Sequence, residues 1–369
     1  MTKSWILYCL NIFLTLQCLG QDFHWSQFQS APYYINPAQT GLFDYEHLRK
    51  TVRASINWRE QWRTIQSPFA TGATPFSTYS FALDGNISRL PLMGEDIIGV
   101  GIAVFKDEAG DLNFSTNQLN LYVAYHKAIN RREDQFISLG MQYGFANHYI
   151  DFSKASYDSQ WDGKEYNPNN SSGENLQSLS KGYRDFSLGI SHFIAPHYGI
   201  KMRTGISAHH LNKPPQSLYN QSAPMFINWV FNHEMHIPAW KRWNYMPALL
   251  IQKQGPATEG VIYNGFRIGS SIDEYHQFGI GYRIVGNYKS PINHDALYLG
   301  YKLGINNWSL GFSYDINVSR LNNATSTIGA FEIAIVWHGH PFNKPKAKHH
   351  RSKNKCPEVH PSGKKKIIF

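Results

Sequence analysis

Trp308-Ser309-Leu310-Gly311-Phe312-Ser313-Tyr314-Asp315-Ile316-Asn317 decides the fold. Trp308, Leu310, Phe312, Tyr314 and Ile316 alternate with Ser309, Gly311, Ser313 and Asp315. A strand sends successive side chains to opposite faces, so one face here is aromatic and aliphatic and the other small or polar. In a soluble sandwich the apolar face would be core. In a membrane barrel it meets lipid, and the small polar face lines the interior. The same alternation recurs elsewhere. Leu119, Leu121, Val123 and Tyr125 oppose Gln118, Asn120, Tyr122 and Ala124; Phe278, Ile280, Tyr282 and Ile284 oppose Gly279, Gly281 and Arg283; Phe331, Ile333, Ile335 and Trp337 oppose Glu332, Ala334 and Val336.

The pattern predicts an all-β, transmembrane, antiparallel up-and-down β-barrel of about 14 strands behind an N-terminal signal peptide. The strands are expected at 50–59, 74–86, 95–106, 114–129, 134–147, 183–193, 197–209, 222–235, 244–254, 258–270, 274–286, 293–304, 306–317 and 327–337. An even count brings both chain ends to one side, where short turns belong. Asn130-Arg131-Arg132-Glu133, Ala195-Pro196 and the Gly304-Ile305 junction fit such turns. The opposite connections, 60–73, 148–182, 210–221 and 318–326, are longer. Two connections depart from the rule: 236–243, expected as a longer inner turn around Pro238, and the short 255–257. Trp58, Trp62, Trp229, Trp243, Trp308 and Trp337 lie near strand ends and are candidates for an interfacial aromatic girdle or for ordinary sheet packing.

Composition agrees. Only 17% of the 369 residues are charged and 15% are aromatic. The net charge of +9 is localised: nine Lys or Arg against Glu358 alone in 338–369 leave the stretch 21–337 neutral overall. Nucleic-acid binding is therefore a poor reading of a basic chain. Residues 1–20 resemble a signal peptide, with Lys3, an apolar Trp5–Leu16 stretch and Cys18-Leu19-Gly20 before a cleavage point. Gln17 before Cys18 argues against a lipoprotein signal. Cys356 is then the one cysteine of the mature chain, so no intramolecular disulfide is available. Four units follow: 1–20 signal peptide; 21–49 an aromatic N-terminal segment, expected inside or beneath the barrel unless it is a mobile leader; 50–337 barrel; 338–369 a basic tail, expected to be periplasmic and disordered, either docked on an acidic partner or solvated.

Chemistry is sparse. No nucleophile elbow, paired metal motif or phosphate loop is present, and Gly99-Val100-Gly101 falls within a strand pattern rather than before a helix. No cofactor, metal or catalytic residue is expected. His209-His210 suggest a metal, but neighbours on a continuing strand point to opposite faces. Asp315 and Glu332, on lumen faces of adjacent strands, are expected to pair with Arg283 or Lys302 in an internal polar network.

Four stretches carry a family resemblance. They are Asp22–Gly41, with Phe28, Asn36-Pro37-Ala38 and Gly41; Trp58-Arg59-Glu60-Gln61-Trp62; Ser207-Ala208-His209-His210-Leu211-Asn212-Lys213-Pro214-Pro215-Gln216-Ser217; and Phe312–Ser319 with Gly329-Ala330-Phe331-Glu332-Ile333. Together they resemble the PorP/SprF family of outer-membrane proteins of the type IX secretion and gliding machinery of Bacteroidetes. The resemblance implies a non-enzymatic outer-membrane component that serves as a binding platform for secreted surface proteins, with periplasmic ring proteins and an OmpA-like peptidoglycan-binding protein as partners, besides outer-membrane lipid. It makes Asn36, Pro37, Gly41, Arg59, Gln61, Trp62, His209, His210, Leu211, Asn212, Pro214, Asp315 and Glu332 the partner-contact candidates. The rivals are a diffusion porin or uptake channel with an open lumen, a barrel enzyme such as a lipase, and a plain anchor for one exported protein.

Overall fold

The computed structural model describes residues 22–43, 50–63, 76–88, 96–110, 112–130, 134–152, 155, 157–165, 167, 169–173, 179–196, 198–218, 223–240, 242–269, 274–287, 290, 292–319 and 327–339. The leader, the 338–369 tail beyond Gly339 and Cys356 lie outside them.

The described residues form fourteen strands: β1 (Val52–Gln61), β2 (Phe76–Ser88), β3 (Ile97–Ala109), β4 (Phe114–Ala128), β5 (Gln135–Ile150), β6 (Leu179–Ile194), β7 (Lys201–His209), β8 (Asn228–Trp240), β9 (Trp243–Gln254), β10 (Ala257–Gly269), β11 (Glu274–Gly286), β12 (Asn293–Ile305), β13 (Trp308–Asn317) and β14 (Ile328–Gly339). Each pairs with its sequence neighbours, and β1 closes on β14 antiparallel from Val52↔Gly339 to Gln61↔Ala330. Closure leaves no strand edge with unpaired backbone in hydrocarbon. No described helix is long and apolar enough to cross a membrane.

The predicted alternation holds around the ring. In β4, Leu119, Leu121, Val123 and Tyr125 are exposed on the outside, while Asn120, Tyr122 and Ala124 are buried inside. In β13, Trp308, Phe312 and Tyr314 face outward, and Ser309, Ser313 and Asp315 are buried. The exposed large apolar side chains thus form the lipid face of a barrel rather than a set of defects. Of the girdle candidates, Trp229, Trp243 and Trp308 are exposed outward; Trp308 and Trp337 adjoin across the β13–β14 pair with ring centroids 6.4 Å apart.

Three local expectations are corrected. The 236–243 connection is not a long turn: β8 runs through Pro238 to Trp240, and the register slips between Pro238 and Trp240, where a missing N–H is tolerated. The β12–β13 turn sits at Asn306-Asn307 rather than Gly304-Ile305, because Asn306 adopts the left-handed conformation (φ 53°) that Asn accepts more readily than Ile. The β5–β6 ladder extends to Ile150↔Leu179, which shortens the longest loop, while β8 starts only at Asn228. The described residues on either side, 211–218 and 223–227, instead pair with each other, with Met225 N–H donating to Pro214 O (2.9 Å) and a bridge between Pro215 and Pro224.

The longest connections, β1–β2, β5–β6, β7–β8 and β13–β14, leave one end of the cylinder, the long-loop end, which also carries the shorter β3–β4, β9–β10 and β11–β12 connections; the other end, the short-turn end, carries the rest, all of them short. Residues 22–43 run inside the ring between these ends. Asp22 meets Gln254 and Asn228 at the long-loop end, and Leu42 and Phe43 meet Phe136, Phe193 and His338 at the short-turn end. Irregular backbone at this depth is tolerable because protein, not lipid, surrounds it.

Candidate functional site

Segment 22–43 fills the bore through three layers of contact. Nearest the short-turn end, residues 36–43 press against the wall. Asn36 caps the turn Pro37–Gln39 by accepting from Ala38 N–H (2.9 Å), and its amide donates to Ile190 O (3.1 Å) and Ile206 O (3.3 Å) on two strands. A Cβ at Gly189 of β6 or Gly205 of β7 would strike the Asn36 side chain, and one at Gly140 of β5 would strike the Pro37–Ala38 backbone. At these three contacts only a glycine wall leaves room for the segment. Gly41 holds φ 74°, which favours glycine, and donates its N–H to Asp84 Oδ2 (2.7 Å). Arg53 grips Asp84 with both ends of its guanidinium (2.8 and 2.7 Å), the fork geometry that makes such pairs strong. His126 bonds Thr40 O (2.8 Å), and Arg203 donates to Leu42 O (3.2 Å) and Phe43 O (3.0 Å).

The middle layer is apolar. Trp25, Phe28, Tyr33 and Ile35 pack on Phe105, Tyr122, Leu250, Val261 and Tyr298 from the strands. Phe23 stacks on Tyr34 at 4.7 Å between centroids, and the Tyr34 hydroxyl donates to Phe23 O (2.7 Å), so the segment doubles back on itself.

The third layer is ionic. Arg59 of β1 lies 2.9 Å from Asp315 and 3.2 Å from Glu332, and its Nη1 donates to Ser26 Oγ (2.7 Å). Ser26 Oγ donates to Asp315, while the backbone N–H groups of Ser26 and Gln27 donate to Glu332 (2.8 and 3.0 Å). Arg283 joins Asp315 (2.8 Å) and Asp295. His24 lies 3.3 Å from Glu259. Buried charges persist only when paired and hydrogen-bonded, and here barrel and segment satisfy each other.

A second polar cluster anchors the start of the segment. His210, just past β7, is buried between Asp22 (Nε2, 2.7 Å) and Asp185 (Nδ1, 2.9 Å). Burial disfavours its charge, but the Asp22 carboxylate and the hydrogen bonds to both acids prevail and hold its pKa up at about 10. Both ring nitrogens then donate. Burial likewise opposes charge on Asp22, yet His210 holds it well below the usual carboxylate range.

The sequence candidates distribute unevenly. Asn36, Pro37 and Gly41 lie in the inner segment, and Arg59, Asp315 and Glu332 meet at Ser26. Asp315 does take Arg283, as the sequence suggested, but the shown partner of Glu332 is Arg59, which the sequence reading had not paired with it. His209 and His210 do not diverge: the strand ends at His209, His210 takes φ 58°, and both rings point inward, His209 toward Ile35 O (3.1 Å). Leu211 and Asn212 bond the β6 edge, at Phe186 O (2.9 Å) and Arg184 O (2.7 Å) respectively, and Pro214 is buried in the folded-back loop. Trp62 closes the top of β1, donating to Gly329 O (2.8 Å) with its ring 5.1 Å from Phe76; Gln61, at the last position of β1, pairs across to Ala330 and Phe76. Arg53, Asp84, His126, Arg203 and the wall glycines were missed. Their signal was present as charged or absent side chains at inward positions of the alternation. Among the described residues, no group of His, Cys, Asp and Glu is arranged to hold a metal.

Fold and interior together define an outer-membrane β-barrel whose bore is occupied by its own N-terminal segment. The chain belongs to the PorP/SprF family, type IX secretion system membrane proteins, whose profile matches residues 18–337. This is a family of secretion-system membrane barrels and not an enzyme family. No curated protein sequence matches. Similar solved structures include a FadL homologue from Pseudomonas aeruginosa (8% identity, 83% of this chain and 93% of that one, TM-score 0.43). A deletion mutant of the TodX monoaromatic hydrocarbon channel is similar at 8% identity, 85% and 94% coverage and TM-score 0.45. The CymD monoaromatic hydrocarbon channel is similar at 9% identity, 82% and 93% coverage and TM-score 0.42.

Proposed function

We propose that this protein works without catalysis, as a docking platform of the type IX secretion and gliding machinery. By the general asymmetry of outer-membrane barrels, the long loops face outside and the short turns face the periplasm. The outer loops would receive exported surface proteins, and the inner rim would meet periplasmic ring proteins and an OmpA-like peptidoglycan-binding protein. The observation that carries this reading is the occupied bore. A segment bonded to β1, β2, β6, β7, β13 and β14 leaves a diffusion porin without a clear path. With transport of small solutes disfavoured, the two rims are the surfaces left to do work.

Affinity purification of the full chain from native outer membranes, with identification of co-purifying chains, tests the proposal. Recovery of periplasmic type IX components supports it. Their absence, in detergents that preserve other assemblies of this machinery, overturns it. Steady ion conductance by the purified protein in planar bilayers, at the level of an unobstructed fourteen-stranded pore, would favour the porin instead.

A further inference from the structure

Above segment 22–43, at the long-loop end, lies a cavity of about 440 Å3. Its floor is aromatic, with Phe23, Tyr34, Phe114 and Tyr183, and its walls are carboxylates and side-chain amides. Three carboxyl groups, Asp22, Asp107 and Asp185, line it, whereas no Lys or Arg is among the described residues that do. The imidazolium of His210 is already shared by Asp22 and Asp185. Among the described residues, Asp107 accepts a hydrogen bond from the Thr78 hydroxyl (2.6 Å) and faces no Lys or Arg across the cavity.

Some of the wall acceptors have no partner. Asn120 and Asn228 are 1% and 5% exposed; the Asn120 amide donates to Tyr122 Oη (3.3 Å), and that of Asn228 to Asp22 and Gln252. Their carbonyl oxygens, like Asp185 Oδ2, have no hydrogen-bond partner. Buried acceptors are costly when unpaired, so an unmatched set facing one cavity marks a place where a ligand supplies the donors.

We propose that this vestibule binds an alkylammonium group, carried by a lysine side chain or a peptide amino terminus, with Asp107 as the free counter-ion and the attached hydrocarbon on the Phe23–Phe114 floor. An ammonium brings three donors and one positive charge, which matches the missing donors and the excess carboxylates. Aromatic faces add attraction for the cation. A neutral sugar would satisfy the acceptors but leave the charge unmatched. The assignment does not depend on the type IX reading, since it stands on the cavity alone.

The test is calorimetric titration of the detergent-solubilised full chain. The probes are Nα-acetyl-lysine amide, for a side chain, and alanyl-alanine amide, for an amino terminus. Maltose and Nα-acetyl-glutamate amide serve as comparisons. Saturable binding of either ammonium probe is expected, weakened about tenfold or more by Asp107→Asn and by raised salt. Which of the two binds more tightly identifies the source of the ammonium. Asn120→Leu, which removes an unpaired acceptor, should weaken binding in the same direction. Heat-modifiable gel mobility verifies that both variants remain folded. Equal or tighter binding of maltose, indifference to Asp107→Asn in a folded variant, or no saturable binding of an ammonium probe up to about 10 mM overturns the proposal.

Discussion

Replacing Arg59 by Met should loosen segment 22–43 without unfolding the barrel. The guanidinium sits among Asp315, Glu332 and Ser26 Oγ, and the side chain is 3% exposed. Removing one member of a buried ion pair costs about 3–5 kcal/mol, because the partner charge stays behind. The lower figure applies here. Asp315 keeps Arg283 at 2.8 Å, and Glu332 keeps the N–H groups of Ser26 and Gln27 at 2.8 and 3.0 Å. Those N–H groups belong to the segment, however, so part of the loss is shed by the segment moving away. About 3 kcal/mol corresponds to a rise of about two orders of magnitude in the open population. A cysteine at Ser30, buried in the bore, reports this population through its labelling rate with a maleimide, in a background where Cys356 is replaced by Ser. Labelling should accelerate about a hundredfold in Arg59→Met. Adding Glu332→Gln, which removes one stranded charge, should reverse part of the gain. If labelling stays within about threefold of the parent while the barrel remains folded, the ionic layer does not hold the segment and the reasoning fails.

Other expectations follow from the same contacts. Gly189→Val drives a side chain into Asn36 and should destabilise docking by about 1–3 kcal/mol, read by the same thiol assay; Gly260→Val, where nothing lies within 4 Å of the new Cβ, should leave it unchanged. The His210 anchor gives a pH signature. Its pKa is raised from 6.5 to about 10 in the folded chain, so its contribution is complete below about pH 6.5 and fades as pH climbs toward 10. Asp22 has a lowered pKa, so its contribution is complete above 3.8 and fades in acid. The thermal unfolding temperature in detergent should therefore fall between about pH 7 and 10, and His210→Gln should flatten that fall. Leu121, 45% exposed at the middle of β4, should cost about 2–4 kcal/mol when changed to Lys, measured as reversible folding into lipid vesicles.

The fold was readable because a lipid-facing strand imposes a rule on every residue: a slip of one position would put Phe312 in the bore and Asp315 in hydrocarbon. That rule fixed fourteen strands and their faces, and its errors fell where it has no force, at Pro238, Asn306 and the far ends of β6 and β8. The interior was less readable, since no period governs segment 22–43. Its contacts join residues far apart in sequence, as Ser26 with Glu332 or Asn36 with Ile190, and no local pattern specifies such pairs. Part of the signal was nonetheless in plain view. Gly99, Gly140, Gly189 and Gly205 occupy inward positions, where a barrel that filled itself with strand side chains would carry bulk. Small residues facing a bore imply that something else fills it, and the nearest unassigned aromatic stretch was the one preceding β1. The motif carried by Asn36, Pro37 and Gly41 then has a physical cause: each sits where backbone approaches backbone, so the side chain that fits is the one that caps, bends or disappears. His210 illustrates the opposite case. Its inward turn depends on a left-handed backbone that neither its identity nor its neighbours announce, and only the paired acids Asp22 and Asp185, remote in sequence, explain why it is tolerated there.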